Sequence, residues 1–107
     1  MFWIFPLAIL ILFELIADVS AKEWSLRAHS LLWVVALGSY FIGNIFWLFA
    51  LREGSGLARG AIIFSVATAV IASVIGIYFY NESLNKIQAV GIMLGVISLV
   101  LIFWDGV

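Results

Sequence analysis

The sequence contains no cysteine and only one histidine among its 107 residues. Without cysteine there are no disulfides and no thiolate metal ligands, and one histidine (His29) is too few for a metal site, so we expect neither metal nor cofactor. Charge is also scarce, because Asp, Glu, Lys and Arg make up 10% of the chain. A soluble domain has roughly a quarter of its residues charged. The composition therefore predicts an integral membrane protein.

Several functional classes are excluded by other missing features. The formal net charge of −1 offers no electrostatic footprint for nucleic acid. No nucleophile, metal-ligand set or phosphate-binding loop is recognisable, so we do not expect an enzyme. Residues 1–13 contain neither Lys nor Arg. The basic segment of a signal peptide is thus missing, and we expect the first apolar stretch to stay in the mature protein.

Long apolar runs fill most of the chain. A membrane-spanning helix needs about 20 mostly apolar residues. Four such segments occur, at residues 2–21, 31–51, 57–80 and 86–104. The connections KEWSLRAHS, REGSG and NESLN are short and polar, so neighbouring helices are expected to run antiparallel. The prediction is an all-α membrane protein with one domain of four transmembrane helices over residues 1–107.

The distribution of basic residues specifies the orientation only weakly. Lys22, Arg27 and Lys86 lie on one side of the predicted membrane, and Arg52 and Arg59 lie on the other. Cytoplasmic loops normally carry a clear excess of Lys and Arg. Two interpretations stay open: a fixed topology with a modest charge bias, or insertion in both orientations followed by antiparallel pairing.

Four short helices bury little interior of their own, which favours a homodimer as the working assumption. Gly91 and Gly95 form a GxxxG pattern on the fourth span, a sequence that lets helices approach closely. We predict a helix-packing role for both glycines. Packing within one protomer and packing between two protomers fit the pattern equally well.

Two carboxylates interrupt the first apolar segment. Asp18 lies four residues before Lys22, the spacing of an ion pair on a helix, and it is close enough to the membrane surface to be hydrated. Glu14 lies about 12 Å from Lys22 along the helix axis, beyond the reach of that pairing. A charged acid at this depth costs at least a few kcal/mol unless it faces a cavity or a partner. Glu14 is therefore predicted to be functional, with a structural hydrogen bond as the alternative.

A carboxyl group inside a membrane has a specific chemistry. Its oxygens bind a proton, or, when ionised, attract a cation. If the proton and the cation exclude each other, binding of one expels the other, as antiport requires. A cavity open alternately to the two membrane faces would then couple the two flows.

These residues resemble the small multidrug resistance transporters, within the drug/metabolite transporter superfamily. The likeness covers almost the whole chain: a length near 110 residues, four spans, and Glu14 followed eight residues later by Lys22. FWLFA at 46–50 looks like the end of that family's second helix. NESLNKIQAVGIMLGVISLVLI at 81–102 resembles its third loop and fourth helix, and also the repeats of larger transporters of the superfamily.

The resemblance implies an antiparallel homodimer in a bacterial or archaeal cell membrane, surrounded by lipid, whose two Glu14 residues share one site for protons and a cationic substrate. It also implies a cavity lined by Trp47 of the second helix and by Phe64, where a tryptophan is usual, with Ser65 following. Tyr40 and Asn44 share a face with Trp47 at i, i+4 and i+7, so they are further candidates; helix packing is the alternative.

The sequence also departs from that family. Ala61 replaces a usual tyrosine, SVAT at 65–68 replaces a glycine-flanked segment, and Asp18 and Arg59 are unusual charges. The substrate is therefore not carried over. Asp18 and Arg59 lie towards opposite membrane faces of one protomer but would meet across an antiparallel dimer. We predict a closing latch between them, with snorkelling of Arg59 to the headgroups as the alternative.

The leading function is proton-coupled export of a small organic cation or metabolite. Two alternatives stay open: an accessory or lipid-flippase-type membrane subunit, and a homodimeric exporter of a neutral or anionic metabolite with Arg59 as the anion contact. An accessory or flippase-type subunit would not need a titratable Glu14, and proton release on adding candidate cations would separate the leading function from both alternatives.

Overall fold

A computed structural model describes the backbone of residues 2–106 and the side chains of residues 2–104. These residues form four α-helices: α1 (Ile4–Arg27), α2 (Ser30–Arg52), α3 (Leu57–Phe79) and α4 (Lys86–Gly106). All four are long and apolar enough, by length and composition, to cross a membrane. The prediction of an all-helical protein with four helices long and apolar enough to cross a membrane is thus confirmed for the described residues, while the antiparallel homodimer stays a prediction.

Large apolar side chains cover the outside of the helices. Phe41 and Ile87, for example, are 71% and 83% exposed. A water-soluble protein does not leave so much contiguous apolar surface in solvent. A lipid bilayer suits this surface. Lipid tails are as apolar as the side chains, so exposing these side chains to lipid costs no hydrophobic free energy.

The first helix is longer than the sequence predicted. Residues 22–27, taken as part of a polar loop, continue α1 to Arg27. Glu23 and Arg27 form an ion pair at 3.1 Å with i, i+4 spacing, and the Ser25 hydroxyl donates to the Lys22 carbonyl at 2.6 Å. Polarity alone does not end a helix: the chain stops only at Ala28, which adopts a left-handed conformation (φ 54°).

Helices α1 and α2 pack together as an antiparallel hairpin joined by Ala28 and His29. The buried side of α1 consists of Leu7, Leu10 and Ala17, and that of α2 of Ala36, Ser39, Gly43 and Ala50. Small residues on α2 bring the two backbones close. A Cβ atom at Gly43 would lie 3.2 Å from the Cβ of Phe13, so a larger residue there would push the helices apart.

The loop between α2 and α3 turns sharply back on α2. The Ser55 amide donates to the Ala50 carbonyl at 3.0 Å, and the Gly54 amide donates to the Leu51 carbonyl at 3.2 Å. Gly54 and Gly56 have φ values of 103° and 76°, a region that residues with a Cβ rarely adopt. These two glycines therefore allow the turn that buries Ser55 completely.

Internal contacts divide the chain into two compact units, of which the first ends at Gly60 and the second begins at Ala61. In the second unit a Cβ at Gly95 of α4 would lie 3.1 Å from Val66 of α3. An open groove of about 460 Å³ includes both of these residues in its lining, together with Ser65, Gly91 and other small or apolar residues. At Gly91 itself a Cβ would meet nothing within 4 Å.

The start of α4 is set by a reciprocal cap. The Gln88 amide donates to the Asn85 side chain at 2.8 Å, and the Asn85 amide donates to the Gln88 side chain at 3.0 Å. Two amide groups that would otherwise lack acceptors at the helix start are thereby satisfied.

Candidate functional site

Glu14 lies near the middle of α1, about 15 Å along the axis from Ile4 at 1.5 Å per residue. Its side chain is half-buried against the protein. Among the side chains of residues 2–104, none forms a hydrogen bond or an ion pair with the Glu14 carboxyl group. The carboxyl group therefore lies near the middle of a helix that is long and apolar enough to cross a membrane.

Asp18 lies one turn further along the same face of α1, and its partner comes from α2. The Tyr40 hydroxyl donates to Asp18 Oδ1 at 2.6 Å, joining positions 22 residues apart in the sequence. This is a short bond to a carboxylate, of the stronger charge-assisted kind. The structure thus brings together Asp18, which the sequence analysis assigned to an ion pair or a latch, and Tyr40, which it assigned to the cavity.

Asn44 continues the same face of α2 one turn beyond Tyr40, and its side-chain amide donates to the Tyr40 carbonyl at 2.7 Å. In an antiparallel hairpin, one turn backward on α1 corresponds to one turn forward on α2. With Asp18 opposite Tyr40, this register places Glu14 at the level of Asn44. We call Glu14, Asp18, Tyr40 and Asn44 the acidic face of the hairpin.

Removal of the Tyr40 hydroxyl tests whether this contact stabilises the hairpin. We expect Tyr40→Phe to lower the free energy of unfolding by about 1–2 kcal/mol, because the Asp18 carboxylate loses a charge-assisted hydrogen bond. Thermal unfolding in detergent measures the change. Tyr78→Phe is the matched control, since Tyr78 is 76% exposed near the end of α3. Equal melting temperatures for the two variants would show that the bond contributes nothing.

Trp47 lies beyond the acidic face towards the end of α2, where the first residues of α3 reach it. A Cβ at Gly60 would lie 2.8 Å from Ser55 Oγ and 3.1 Å from Trp47 Cζ3. The indole ring therefore rests directly against the backbone of Gly60. This contact ties the position of a candidate cavity residue to the loop between α2 and α3.

Alanine at position 60 is expected to displace the Trp47 ring, because the added methyl group would overlap Ser55 and crowd the indole. Overpacking of this kind typically costs about 1–3 kcal/mol. The measurement is thermal unfolding together with the emission spectrum of the tryptophans. Gly38→Ala is the control, since a Cβ there meets nothing within 4 Å. A melting temperature of Gly60→Ala at or above that of Gly38→Ala would contradict the close contact.

Arg59 contacts its own protomer. Its Nε donates to the Ser55 carbonyl at 3.1 Å, a terminal nitrogen donates to the Gly54 carbonyl at 3.0 Å, and its guanidinium lies 4.4 Å from the centre of the Trp3 ring. Asp18 lies about 22 Å further along α1 than Trp3. The predicted latch across two subunits stays a prediction, and it would require Asp18 and Arg59 to exchange these partners.

The remaining candidates lie in the second unit, on α3. Ser65 lines the groove described above, and Phe64 precedes it as a half-buried residue. A role for either in a common cavity with Glu14 stays a prediction. No cluster of three or more His, Asp or Glu that could hold a metal ion occurs among the residues that the structure describes.

Two contacts of this site were missed by the sequence analysis. The bond between Asp18 and Tyr40 could have been found from the short hairpin turn. In an antiparallel hairpin, residues at equal distances before and after the turn lie opposite each other, and Asp18 and Tyr40 are nearly equally far from Ala28 and His29. The stacking of Arg59 on Trp3 had no comparable signal, since it depends on how the α2–α3 loop folds back.

Comparison with known proteins gives one finding. No curated protein and no solved structure matches the chain. The model of the EamA-like transporter family matches residues 1–104, almost the full length. This agrees with the four helices that are long and apolar enough to cross a membrane and with the resemblance to the drug/metabolite transporter superfamily, without singling out its small multidrug resistance branch. The chain belongs to the EamA-like transporter family.

Proposed function

We propose that this membrane protein is a proton-coupled antiporter of a small organic cation, active as an antiparallel homodimer with a shared site at the two Glu14 residues. The observation that carries the proposal is the position of Glu14: half-buried, near the middle of α1 and one turn from a second carboxylate. Membership of a transporter family supplies the general activity, membrane transport without an enzymatic reaction.

The acidic face explains why protons and cations would compete. A carboxylate in low-dielectric surroundings is unfavourable unless a positive charge or a proton accompanies it. Glu14 and Asp18 lie one turn apart, so their negative charges repel each other and strengthen this requirement. The Tyr40 hydroxyl already donates to Asp18, which leaves Glu14 as the carboxyl group at which proton and cation would exchange.

An antiparallel dimer suits this geometry. Glu14 lies between two and three residues from the middle of the apolar segment 2–21. Inverting a second copy in the membrane would change the depth of its Glu14 by about 7–8 Å at 1.5 Å per residue. The two carboxyl groups would therefore lie on either side of the membrane centre, near enough in depth to serve one ligand. A dimer also provides partners for the exposed helix surfaces.

The alternative with Arg59 as the contact for an anionic substrate has less support. Its guanidinium already donates to two backbone carbonyls and covers the Trp3 ring. An anion would have to displace these contacts. The accessory or flippase-type alternative leaves the depth of Glu14 unexplained.

Transport by protein reconstituted in lipid vesicles tests the proposal. An outward proton gradient is applied, and uptake of tetrapropylammonium, guanidinium and spermidine is followed. Antiport predicts uptake of at least one cation together with release of protons from the vesicle. Uptake that is independent of the proton gradient, or no uptake of any cation, would contradict it.

A further inference from the structure

One end of the α1–α2 hairpin is closed by a set of contacts that the acidic face does not use. Trp3 lies at the start of α1, and Arg59 lies in the first turn of α3. The guanidinium of Arg59 covers the Trp3 ring at 4.4 Å and donates to the carbonyls of Gly54 and Ser55. We call Trp3, Arg59 and residues 54–55 the Trp3 clamp. It fastens the α2–α3 loop to the beginning of α1.

The burial of the clamp is unusual for the end of a membrane helix. Tryptophan at such ends normally occupies the headgroup layer, and arginine normally extends into it. Here Trp3 is only 4% exposed and Ser55 is completely buried, while Arg59 is half-buried. Trp3 and Ser55 are thus turned inward, and lipid headgroups do not account for the positions of these two side chains.

The contacts of the clamp are of a kind that can open and close. The Arg59 guanidinium over the Trp3 ring is a non-covalent contact between distant parts of the chain, while its bonds to the carbonyls of Gly54 and Ser55 are local. Gly54 and Gly56 flank the buried serine with positive φ values, where few other residues would fit. Loop positions flanked by glycine absorb the backbone changes of hinge motions.

The clamp is physically connected to a candidate cavity residue. Gly60 directly follows Arg59 in the sequence. Because Gly60 has no side chain, Ser55 Oγ and the Trp47 ring both pack closely against its Cα. If Arg59 leaves Trp3, the adjacent Gly60 and the buried Ser55 move with the loop, and the surface against which Trp47 rests is lost. Opening of the clamp is thereby coupled to the position of Trp47.

We infer that the Trp3 clamp is a gate, which closes one membrane face and positions Trp47 when it is shut. The inference rests on the proposed function, because a gate needs a transported substrate. In an antiparallel dimer each membrane face would carry one clamp. One clamp would open while the other closes, as alternating access requires.

The test uses the fact that the protein has no cysteine of its own. Ser55→Cys introduces a single thiol at a completely buried position, and its rate of reaction with a maleimide in detergent reports opening of the clamp. We expect Arg59→Gln to increase this rate about tenfold or more, because the stacking and both carbonyl bonds are weakened. Arg52→Gln is the control, since Arg52 is an exposed arginine at the end of α2.

Two further measurements keep the test decisive. Ser39→Cys, buried within the hairpin and outside the clamp, should react at one slow rate in all backgrounds, so that faster labelling at this position reports global unfolding. If Ser55→Cys does not fold, amide hydrogen exchange of residues 50–60 is measured instead, in protein that keeps Ser55. Arg59→Gln should accelerate that exchange. Unchanged labelling and unchanged exchange in Arg59→Gln would overturn the clamp.

Adding a cation that binds distinguishes a gate from a static structural contact. A gate requires the labelling rate of Ser55→Cys to change when tetrapropylammonium, guanidinium or spermidine binds. Binding with no change in labelling would overturn the gate. If none of the three cations binds, the proposed function fails, and the comparison of Arg59→Gln with Arg52→Gln still decides whether the clamp exists.

Discussion

Replacing Glu14 with glutamine reduces proton-driven cation uptake to the level of protein-free vesicles. Glutamine keeps the size and the hydrogen-bonding capacity of the side chain but neither binds a proton nor carries a charge at neutral pH. If Glu14 exchanges a proton for a cation, both halves of the antiport cycle are lost together. Uptake of the cations by vesicles with and without a proton gradient measures the effect.

Glu53→Gln is the matched control, because it removes a carboxylate from an exposed position just after α2. Its uptake should equal that of the unmodified protein. A folded Glu14→Gln variant whose cation uptake is still driven by the outward proton gradient would show that another group carries the proton. Asp18→Asn would then be the next variant, since Asp18 is the other acid of the acidic face.

When unmodified and Glu14→Gln chains are mixed, we expect transport activity to fall by more than the fraction of mutant chains. At equal expression with random pairing, only about a quarter of homodimers contain two intact Glu14 residues. A site that requires both carboxyl groups therefore falls to about a quarter of full activity. Two differently tagged chains, purified together and assayed in vesicles at several mixing ratios, give the curve.

The curve separates the shared site from its alternatives. A quadratic dependence on the unmodified fraction supports two Glu14 residues acting together. A linear dependence would show that each chain works alone, and a curve above the straight line, with about three quarters of full activity at equal mixing, would show that one Glu14 per dimer suffices. The Glu53→Gln chain, mixed in the same way, should leave activity constant at every ratio.

The sequence was sufficient for the helices, because their signal is long and redundant. Four apolar segments of membrane-spanning length, separated by polar residues, leave little freedom in the fold. The end of α1 was wrong because the polar residues 22–27 are also good helix formers, joined by the Glu23–Arg27 pair. Polarity marks where a chain leaves lipid, and helix ends are set by caps such as the left-handed Ala28.

The site was only partly predictable. Glu14 stood out because an acid at membrane depth is costly in any fold. The partner of Asp18 did not, since the bond from Tyr40 depends on the register between α1 and α2. The surroundings of Arg59 depend on a three-residue turn at positions 54–56, whose course follows from two glycines with positive φ. Contacts that depend on tertiary geometry leave little trace in a single sequence.

Proton release on cation binding tests the central claim most directly. Detergent-solubilised protein in weakly buffered solution receives tetrapropylammonium, guanidinium or spermidine, and the pH of the solution is followed. Exchange at Glu14 predicts that a binding cation releases protons from the unmodified protein and from Glu53→Gln but not from Glu14→Gln. Release of equal size from Glu14→Gln, or cation binding without release from the unmodified protein, would contradict a shared site for proton and cation at Glu14.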